Sequence, residues 1–142
     1  MNDRRLVVLD RKECLRLLAA GRVGRVIHTE RALPACTPVN YRLVGEAIVF
    51  RTAVGSRLAA ATSDTVVAFE VDDFDADAST GWSVLVTGVA AAVRDVSALM
   101  RLDQLGLVPW AGDGRSHWVR ISLSDVTGRR VSGSPAALAA TS

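Results

Sequence analysis

Short runs rich in β-branched residues follow one another from residue 23 to residue 131. Apolar and polar residues alternate within several of these runs, which is the period of a half-buried strand. Residues typical of turns separate the runs. The strands predicted in this way are Val23–His28, Val39–Leu43, Ala47–Thr52, Thr65–Val71, Ser83–Val93, Trp118–Leu123 and Val126–Val131.

These runs predict a mainly β (α+β) protein, in which about six antiparallel strands form a small barrel with two or three short helices. A parallel βαβ arrangement is excluded, because too few crossover helices separate the strands. The segment Val44-Gly45-Glu46 predicts a hairpin turn, and Gly88 predicts a β-bulge within a long strand. Residues 30–34 (ERALP) are also predicted to form a turn.

In two stretches the apolar residues have the spacing of one face of a helix. In the first, Asp10 can accept a hydrogen bond from the Glu13 amide while the Glu13 side chain reaches back, which is the capping-box arrangement. Gly21 is predicted to end this helix, and a second helix is predicted over Val96–Leu105 from the spacing of its leucines. The residues predicted to form the apolar face of the first helix are Cys14, Leu17 and Leu18.

The composition is that of one globular domain. The chain has 142 residues, of which 49% are hydrophobic and 23% are charged, so it can bury a core. We expect a domain over residues 1–131 and a flexible tail over residues 132–142, which lack periodicity. No run is long enough to span a bilayer, and Asp10 interrupts the N-terminal apolar run too early for a signal peptide. A cytoplasmic protein is therefore expected.

The charge pattern does not favour nucleic acid as a partner. The formal net charge is +2, Lys12 is the only lysine, and the arginines are scattered along the chain. A nucleic-acid-binding surface typically has a basic stripe with interleaved aromatic residues. Acidic residues cluster instead between Glu70 and Asp77.

The cysteines and histidines do not match a known metal-binding spacing. Cys14 and Cys36 are too far apart for a CxxC pair and are predicted to be reduced and partly buried. Adding His28 and His117 gives no zinc-finger pattern. Neither histidine has a carboxylate partner in sequence, so we expect both at the surface or at strand ends.

The acidic cluster resembles a calcium-binding loop only in part. Asp73, Asp75 and Asp77 have the first three spacings of an EF-hand, but Ala78 and Val84 stand where that loop needs Gly and Glu. A solvated hairpin loop between residues 71 and 81 is predicted instead.

The segment 51–57 (RTAVGSR) joins a strand to a short alanine-rich stretch. Ser56 is the predicted N-cap of a helix over Arg57–Ala61, so the first-turn amides point outward with the positive end of the helix dipole. Arg57 adds a guanidinium at the same end, and Arg51 and Thr52 complete the preceding strand nearby. This combination suits a phosphate monoester. A capped helix with a solvated arginine fits the same residues.

Several blocks of the sequence together resemble the pyridoxamine 5'-phosphate oxidase-like family of flavin-binding split barrels. They follow the family's order over residues 10–131, and the opening helix is similar to that of the compact bacterial branch. The blocks are 37–41 (TPVNY), 48–52 (IVFRT), 55–57 (GSR), 67–72 (VAFEVD), 81–88 (GWSVLVTG), 118–121 (WVRI) and 126–130 (VTGRR).

The resemblance implies a homodimer that holds two flavin mononucleotides (FMN) at its interface. The phosphate-binding stretch of the family corresponds here to Thr52, Ser56 and Arg57. Leu58 stands where some relatives have a second cation, so Arg57 would carry more of the phosphate charge, together with Arg51.

Further cofactor contacts implied by the resemblance come from separate strands. The ring of a flavin needs apolar surface and a few hydrogen bonds at its edge. Val39, Tyr41 and Trp82 could supply that surface, although Trp82 also fits a core position. Arg129, with Arg130 beside it, would come from the partner subunit or would lie in an exposed turn. The implied contacts are Pro38, Val39, Asn40, Tyr41, Trp82, Ser83 and Arg129.

The resemblance implies a flavin-dependent oxidoreductase, in which the cofactor carries the electrons and the protein binds and orients it. Vitamin-oxidising members of the family end with an Arg-x-His-type motif. Here Arg130 is followed by residues 131–135 (VSGSP) and by no histidine, so vitamin oxidation is not expected and the substrate stays open. The alternatives are a deazaflavin-dependent reductase and a non-catalytic flavin-binding or dimerisation module.

Overall fold

A computed structural model describes residues 5–109 and 114–132. In these two ranges, no helix is long and apolar enough to cross a membrane. The elements are β1 Arg5–Leu9, α1 Arg11–Ala20, β2 Val23–Glu30, β3 Leu33–Asn40, β4 Arg42–Val44, β5 Ala47–Ala53, α2 Arg57–Ala61, β6 Thr65–Asp75, β7 Thr80–Ala92, α3 Val96–Asp103, β8 Ser116–Ser122 and β9 Asp125–Ser132.

The strands form one nine-stranded antiparallel sheet with the hydrogen-bonded order β3-β2-β6-β7-β8-β5-β4. The 13-residue strand β7 organises it, because it pairs with β6 along one edge and with β9 and then β8 along the other. Strand β9 also pairs with β1. Strands β3 and β5 are in contact, but no ladder between them occurs in the described ranges. We call this boundary the seam; it makes the fold a split barrel, as predicted.

Most of strand β3 was not predicted, because residues 30–34 were interpreted as a turn. The predicted strand Val39–Leu43 is divided at Tyr41 between the end of β3 and β4. The turn is confined to Arg31 and Ala32, whose φ angles of 50° and 64° are typical of a two-residue hairpin connection. Pro34 and Pro38 have no amide hydrogen to donate, which makes them compatible only with an edge strand. Strand β3 is such an edge, because β2 is its only pairing partner within residues 5–109 and 114–132.

Helix α1 covers one end of the barrel and buries Cys14, Leu17 and Leu18, as predicted. Its N-cap is also confirmed, since the Asp10 carboxylate accepts a hydrogen bond from the Glu13 amide at 2.8 Å. The Glu13 side chain does not complete a capping box. It accepts hydrogen bonds from two arginines, Arg16 at 2.6 Å and Arg130 at 3.2 Å, which are stronger donors than a backbone amide.

Of the two glycines with predicted roles, Gly21 ends the first helix as predicted, whereas Gly88 does not form the predicted bulge. Gly21 ends α1, but its φ of −78° is open to any residue; glycine is needed because a Cβ there would overlap the Tyr41 hydroxyl. Gly88 is not in a bulge, since its pairing with Val67 lies in an unbroken register between β6 and β7. A Cβ at Gly88 would overlap the Ser122 carbonyl oxygen, at the point where the outer partner of β7 changes from β9 to β8.

The hairpin predicted between residues 71 and 81 is confirmed, although its strands are longer than expected. Strand β6 reaches Asp75, whose carboxylate accepts hydrogen bonds from the amides of Asp77 and Ala78. Both cysteines are free, as predicted, but Cys36 is exposed whereas Cys14 is buried. Strand β9 runs through Ser132, the first residue of the expected tail; the rest of that tail lies outside the described residues.

Candidate functional site

A cleft of about 380 Å³ lies at the seam between β3 and β5. We call it the seam cleft. One wall comes from β3, and the other comes from the end of β5 and the turn into α2. The residues of the predicted cofactor set that line it are Pro38, Val39, Arg51, Thr52, Ser56 and Arg57. The structure therefore brings the predicted phosphate corner together with part of the predicted ring contacts.

The polar floor of the seam cleft contains two hydroxyls. Thr52 Oγ1 and Ser56 Oγ lie 3.0 Å apart. Ser56 Oγ also accepts a hydrogen bond from the Ala59 amide at 3.0 Å, which confirms the predicted N-cap of α2. Because α2 has only five residues, the attraction of this corner for an anion depends on its side chains more than on a helix dipole.

The two arginines of the cleft differ in availability. The Arg51 guanidinium donates to Ser116 Oγ at 2.6 Å and to the Leu107 carbonyl at 3.0 Å, and it lies 5.5 Å from the ring centre of Trp118. The Arg51 guanidinium is therefore already hydrogen-bonded within the protein. Arg57 is exposed, and its side chain forms no ion pair or hydrogen bond with any residue in the described ranges. Arg57 is the cation of this cleft that is available to a ligand.

His28 is buried, which corrects the expectation of a surface or strand-end position. It is 4% exposed, its Nε2 lies 2.9 Å from Thr37 Oγ1, and its Nδ1 has no partner among the described residues. A buried N–H without an acceptor is costly, so the tautomer with the proton on Nε2 is favoured. Thr37 then accepts from His28, and its own hydroxyl hydrogen is free to point into the seam cleft that it lines.

Thr37 was missed as a site residue, although the sequence contained a signal for it. Alternate residues of a strand share a face, and Thr37 is two positions before Val39, which was predicted to face the cofactor. Glu30 also lines the cleft, and no sequence pattern pointed to it.

Tyr41 does not face the cleft, so the expectation that its ring supplies a flavin-binding surface is wrong. It is fully buried, donates a hydrogen bond to the Leu18 carbonyl at 2.6 Å and packs edge-on against Phe69. Burial raises the pKa of its hydroxyl to about 12. Its neighbour Asn40 ends β3 and donates a hydrogen bond to the Val108 carbonyl at 3.4 Å.

The remaining predicted residues lie apart from the seam cleft. Ser83 and Arg129 are directly opposite each other on β7 and β9 and line a cleft of about 550 Å³ on the outer face of the sheet. We call it the outer cleft. It shares no lining residue with the seam cleft. Trp82 is half-buried and packs against the core, and it lines a further cleft together with Arg130.

The outer cleft also contains a carboxylate with an altered affinity for protons. Glu70 accepts a hydrogen bond from Arg25 at 3.0 Å, and Arg25 also reaches Asp72 at 3.3 Å. Burial and the neighbouring Asp72 carboxyl raise the pKa of Glu70 to about 7, and the Arg25 guanidinium only partly offsets this shift.

This pKa predicts that Glu70 makes stability depend on pH. A carboxyl whose pKa is higher in the folded state stabilises the fold below its unfolded pKa, and this contribution is lost as the pH rises to about 7. We expect the free energy of unfolding to fall between about pH 4.5 and pH 7. The Glu70→Gln variant should lack this decrease, as measured by urea denaturation across that range. A Glu13→Gln variant is the control, because the pKa of Glu13, about 2, lies outside the window. Parallel curves for wild type and Glu70→Gln would contradict the prediction.

Comparison with known proteins identifies relatives of this fold. Residues 10–130 match the pyridoxamine 5'-phosphate oxidase family. An uncharacterised protein of Mycobacterium tuberculosis is 41% identical over 133 residues, which are 90% of this chain and 87% of that protein.

Solved structures extend the comparison to three dimensions. The FAD binding protein from Mycobacterium smegmatis is 36% identical, with a TM-score of 0.79 over 89% of this chain and 98% of that one. A FAD-binding protein from Mesorhizobium loti shares the fold, with a TM-score of 0.76 at 21% identity over 91% of this chain and 98% of that one. The split barrel, the match over residues 10–130 and these relatives together show that the chain belongs to the pyridoxamine 5'-phosphate oxidase-like family of flavin-binding split barrels.

Proposed function

We propose that this protein binds a flavin nucleotide in the seam cleft, with the phosphate beside Arg57. The observation that carries the proposal is the position of this exposed guanidinium, which has no partner in the described ranges, next to the paired hydroxyls of Thr52 and Ser56. A phosphate monoester favours a site with positive charge and several hydrogen-bond donors, and this corner offers both. The ligand is FMN itself or the FMN half of a larger flavin.

The other walls of the seam cleft fit the rest of such a ligand. Pro38, Val39, Leu58 and Pro109 supply apolar surface, which suits a planar ring. Thr37 adds a third hydroxyl from the opposite wall, held by His28 at 2.9 Å. The donor set therefore matches a ligand with an apolar ring at one end and a phosphate at the other.

We also propose that the protein is a homodimer in which each bound flavin contacts both subunits. Ser83 and Arg129 line a cleft separate from the seam cleft of their own chain, and Arg129 has no ion-pair partner among the described residues. The resemblance to the family supports a role for Arg129 at the flavin site of the other copy. Light scattering coupled to size exclusion should give twice the chain mass. A monomer that still binds flavin tightly would contradict this arrangement.

The proposed activity is that of an oxidoreductase acting on a small substrate. A bound flavin supplies electron or hydride transfer, and the protein's part is to bind and orient the ring and to neutralise its phosphate. Residues 131–135 (VSGSP) follow Arg130 where vitamin-oxidising relatives have an Arg-x-His-type motif, so the proposed substrate is not the vitamin phosphate.

Titration of the apo-protein with FMN, FAD and a deazaflavin coenzyme tests the proposal. We expect flavin fluorescence to be quenched and the visible absorption band to shift on binding. Binding of the deazaflavin alone would replace the flavin proposal with a deazaflavin-dependent reductase.

Anaerobic mixing of the flavin-loaded protein with reduced nicotinamide nucleotides then tests the activity. Bleaching of the visible band supports an oxidoreductase. Bleaching by dithionite but not by the nicotinamide nucleotides supports a non-catalytic binding module.

A further inference from the structure

A second cleft of about 500 Å³ adjoins the seam cleft. Its walls are the turn between β2 and β3 on one side and helix α2 on the other. Glu30 and Arg57 line both clefts, so the two clefts form one groove with one acidic and one basic residue at the junction. We call the second part the hairpin cleft.

The hairpin cleft is mostly apolar away from this junction. Leu33, a large hydrophobic residue that is 67% exposed, stands on its β3 wall. Exposed side chains of this size occur singly on many proteins, but here further apolar residues line both walls, together with Thr29 and Arg31 at the turn. The other apolar residues that line it are Pro34, Ala35, Ala60 and Ala61.

The order of apolar and charged residues along the groove restricts which ligands can fill it. Apolar wall residues lie on each side of Arg57, in the seam cleft and in the hairpin cleft, so a ligand that fits both is anionic in the middle and has a ring at each end. FMN ends at its phosphate and would leave the hairpin cleft unused. A flavin dinucleotide continues from the phosphate through a second phosphate and a ribose to a purine.

We infer that the hairpin cleft binds the adenosine end of FAD, an inference that rests on the proposed flavin site. Arg57 lies where the diphosphate would cross between the clefts, and one guanidinium can donate to two phosphate groups. Glu30 is an acceptor at the same junction, which suits the ribose hydroxyls. Its negative charge disfavours a ribose that carries an additional phosphate. The purine would lie between Leu33 and the alanines of α2.

Direct comparison of FAD with FMN on the same protein tests this inference. We expect the dissociation constant of FAD to be at least about 10-fold lower than that of FMN, because only FAD uses the hairpin cleft. Leu33→Asp should weaken FAD binding about 10-fold and leave FMN binding unchanged. Ala60→Trp, which fills the cleft from the opposite wall, should have the same selective effect.

The matched control is Met100→Asp on α3, because Met100 is 65% exposed and lines neither cleft. It should change neither dissociation constant. Thermal unfolding of each variant shows that the fold is kept, and binding of FMN with wild-type affinity provides a second check.

The outcomes separate this inference from the proposed function. Equal affinities of the wild-type protein for FAD and FMN, or an equal loss of both ligands in Leu33→Asp and Ala60→Trp, would overturn the adenosine site while the flavin site stands. No binding of either flavin would remove both proposals.

Discussion

Replacing Arg57 by alanine is expected to weaken flavin binding by about 1.5–3 kcal/mol, or roughly 10- to 150-fold in the dissociation constant. The variant removes the available cation of the seam cleft and leaves the phosphate with uncharged donors. Arg57 is exposed and has no side-chain partner among the described residues, so stability should not change. Isothermal titration with FMN measures the effect without any contribution from the hairpin cleft.

Two further variants make this result specific. Arg94→Ala removes another exposed arginine, which precedes α3 and lines neither cleft, so the affinity of this variant for FMN should equal that of the wild type. Arg57→Lys keeps the charge but loses the planar fork of donors, and it should lie between wild type and Arg57→Ala. An unchanged dissociation constant in Arg57→Ala would remove this residue from the site.

Replacing Tyr41 by alanine is expected to lower the free energy of unfolding by about 3–5 kcal/mol, the range for removing a large buried aromatic side chain. Tyr41 is fully buried, its ring centre lies 4.8 Å from that of Phe69, and its hydroxyl joins the connection between β3 and β4 to the end of α1 through Leu18. Urea denaturation measures the change, provided that the variant still folds at low denaturant.

The Tyr41→Phe variant separates the core role from a cofactor role. It keeps the ring and loses one hydrogen bond, and the Leu18 carbonyl keeps its hydrogen bond from the Gly21 amide at 3.3 Å. We therefore expect a loss of about 0.5–1.5 kcal/mol in stability and no change in flavin affinity. A Tyr41→Phe protein of normal stability that binds flavin tenfold more weakly would restore Tyr41 to the site.

The local parts of the fold could be predicted because their causes lie within a few residues of sequence. The caps at Asp10 and Ser56 each depend on a side chain and an amide three positions later. The hairpin at Val44–Glu46 depends on the turn itself. Strand β3 could not be predicted in the same way, since its two prolines are tolerated only on an edge strand, and the edge is defined by the rest of the sheet.

The candidate site likewise has a part that could be predicted from neighbouring residues and a part that depends on distant strands. The corner around Thr52, Ser56 and Arg57 is contiguous in sequence, so its spacing was enough to suggest a phosphate. Thr37 joins that corner only because the barrel is split between β3 and β5, and His28 became its partner only by burial on β2.

The amino-acid sequence alone therefore determined the β-rich class, the capped helices, the family resemblance and the phosphate corner, because each depends on neighbouring residues or on the order of blocks along the chain. The tertiary structure decided which side chains face the seam and which enter the core. It directed Tyr41 inward, fixed Arg51 on Ser116 and left Arg57 exposed between two clefts. These outcomes depend on packing between strands distant in sequence, which no local pattern encodes.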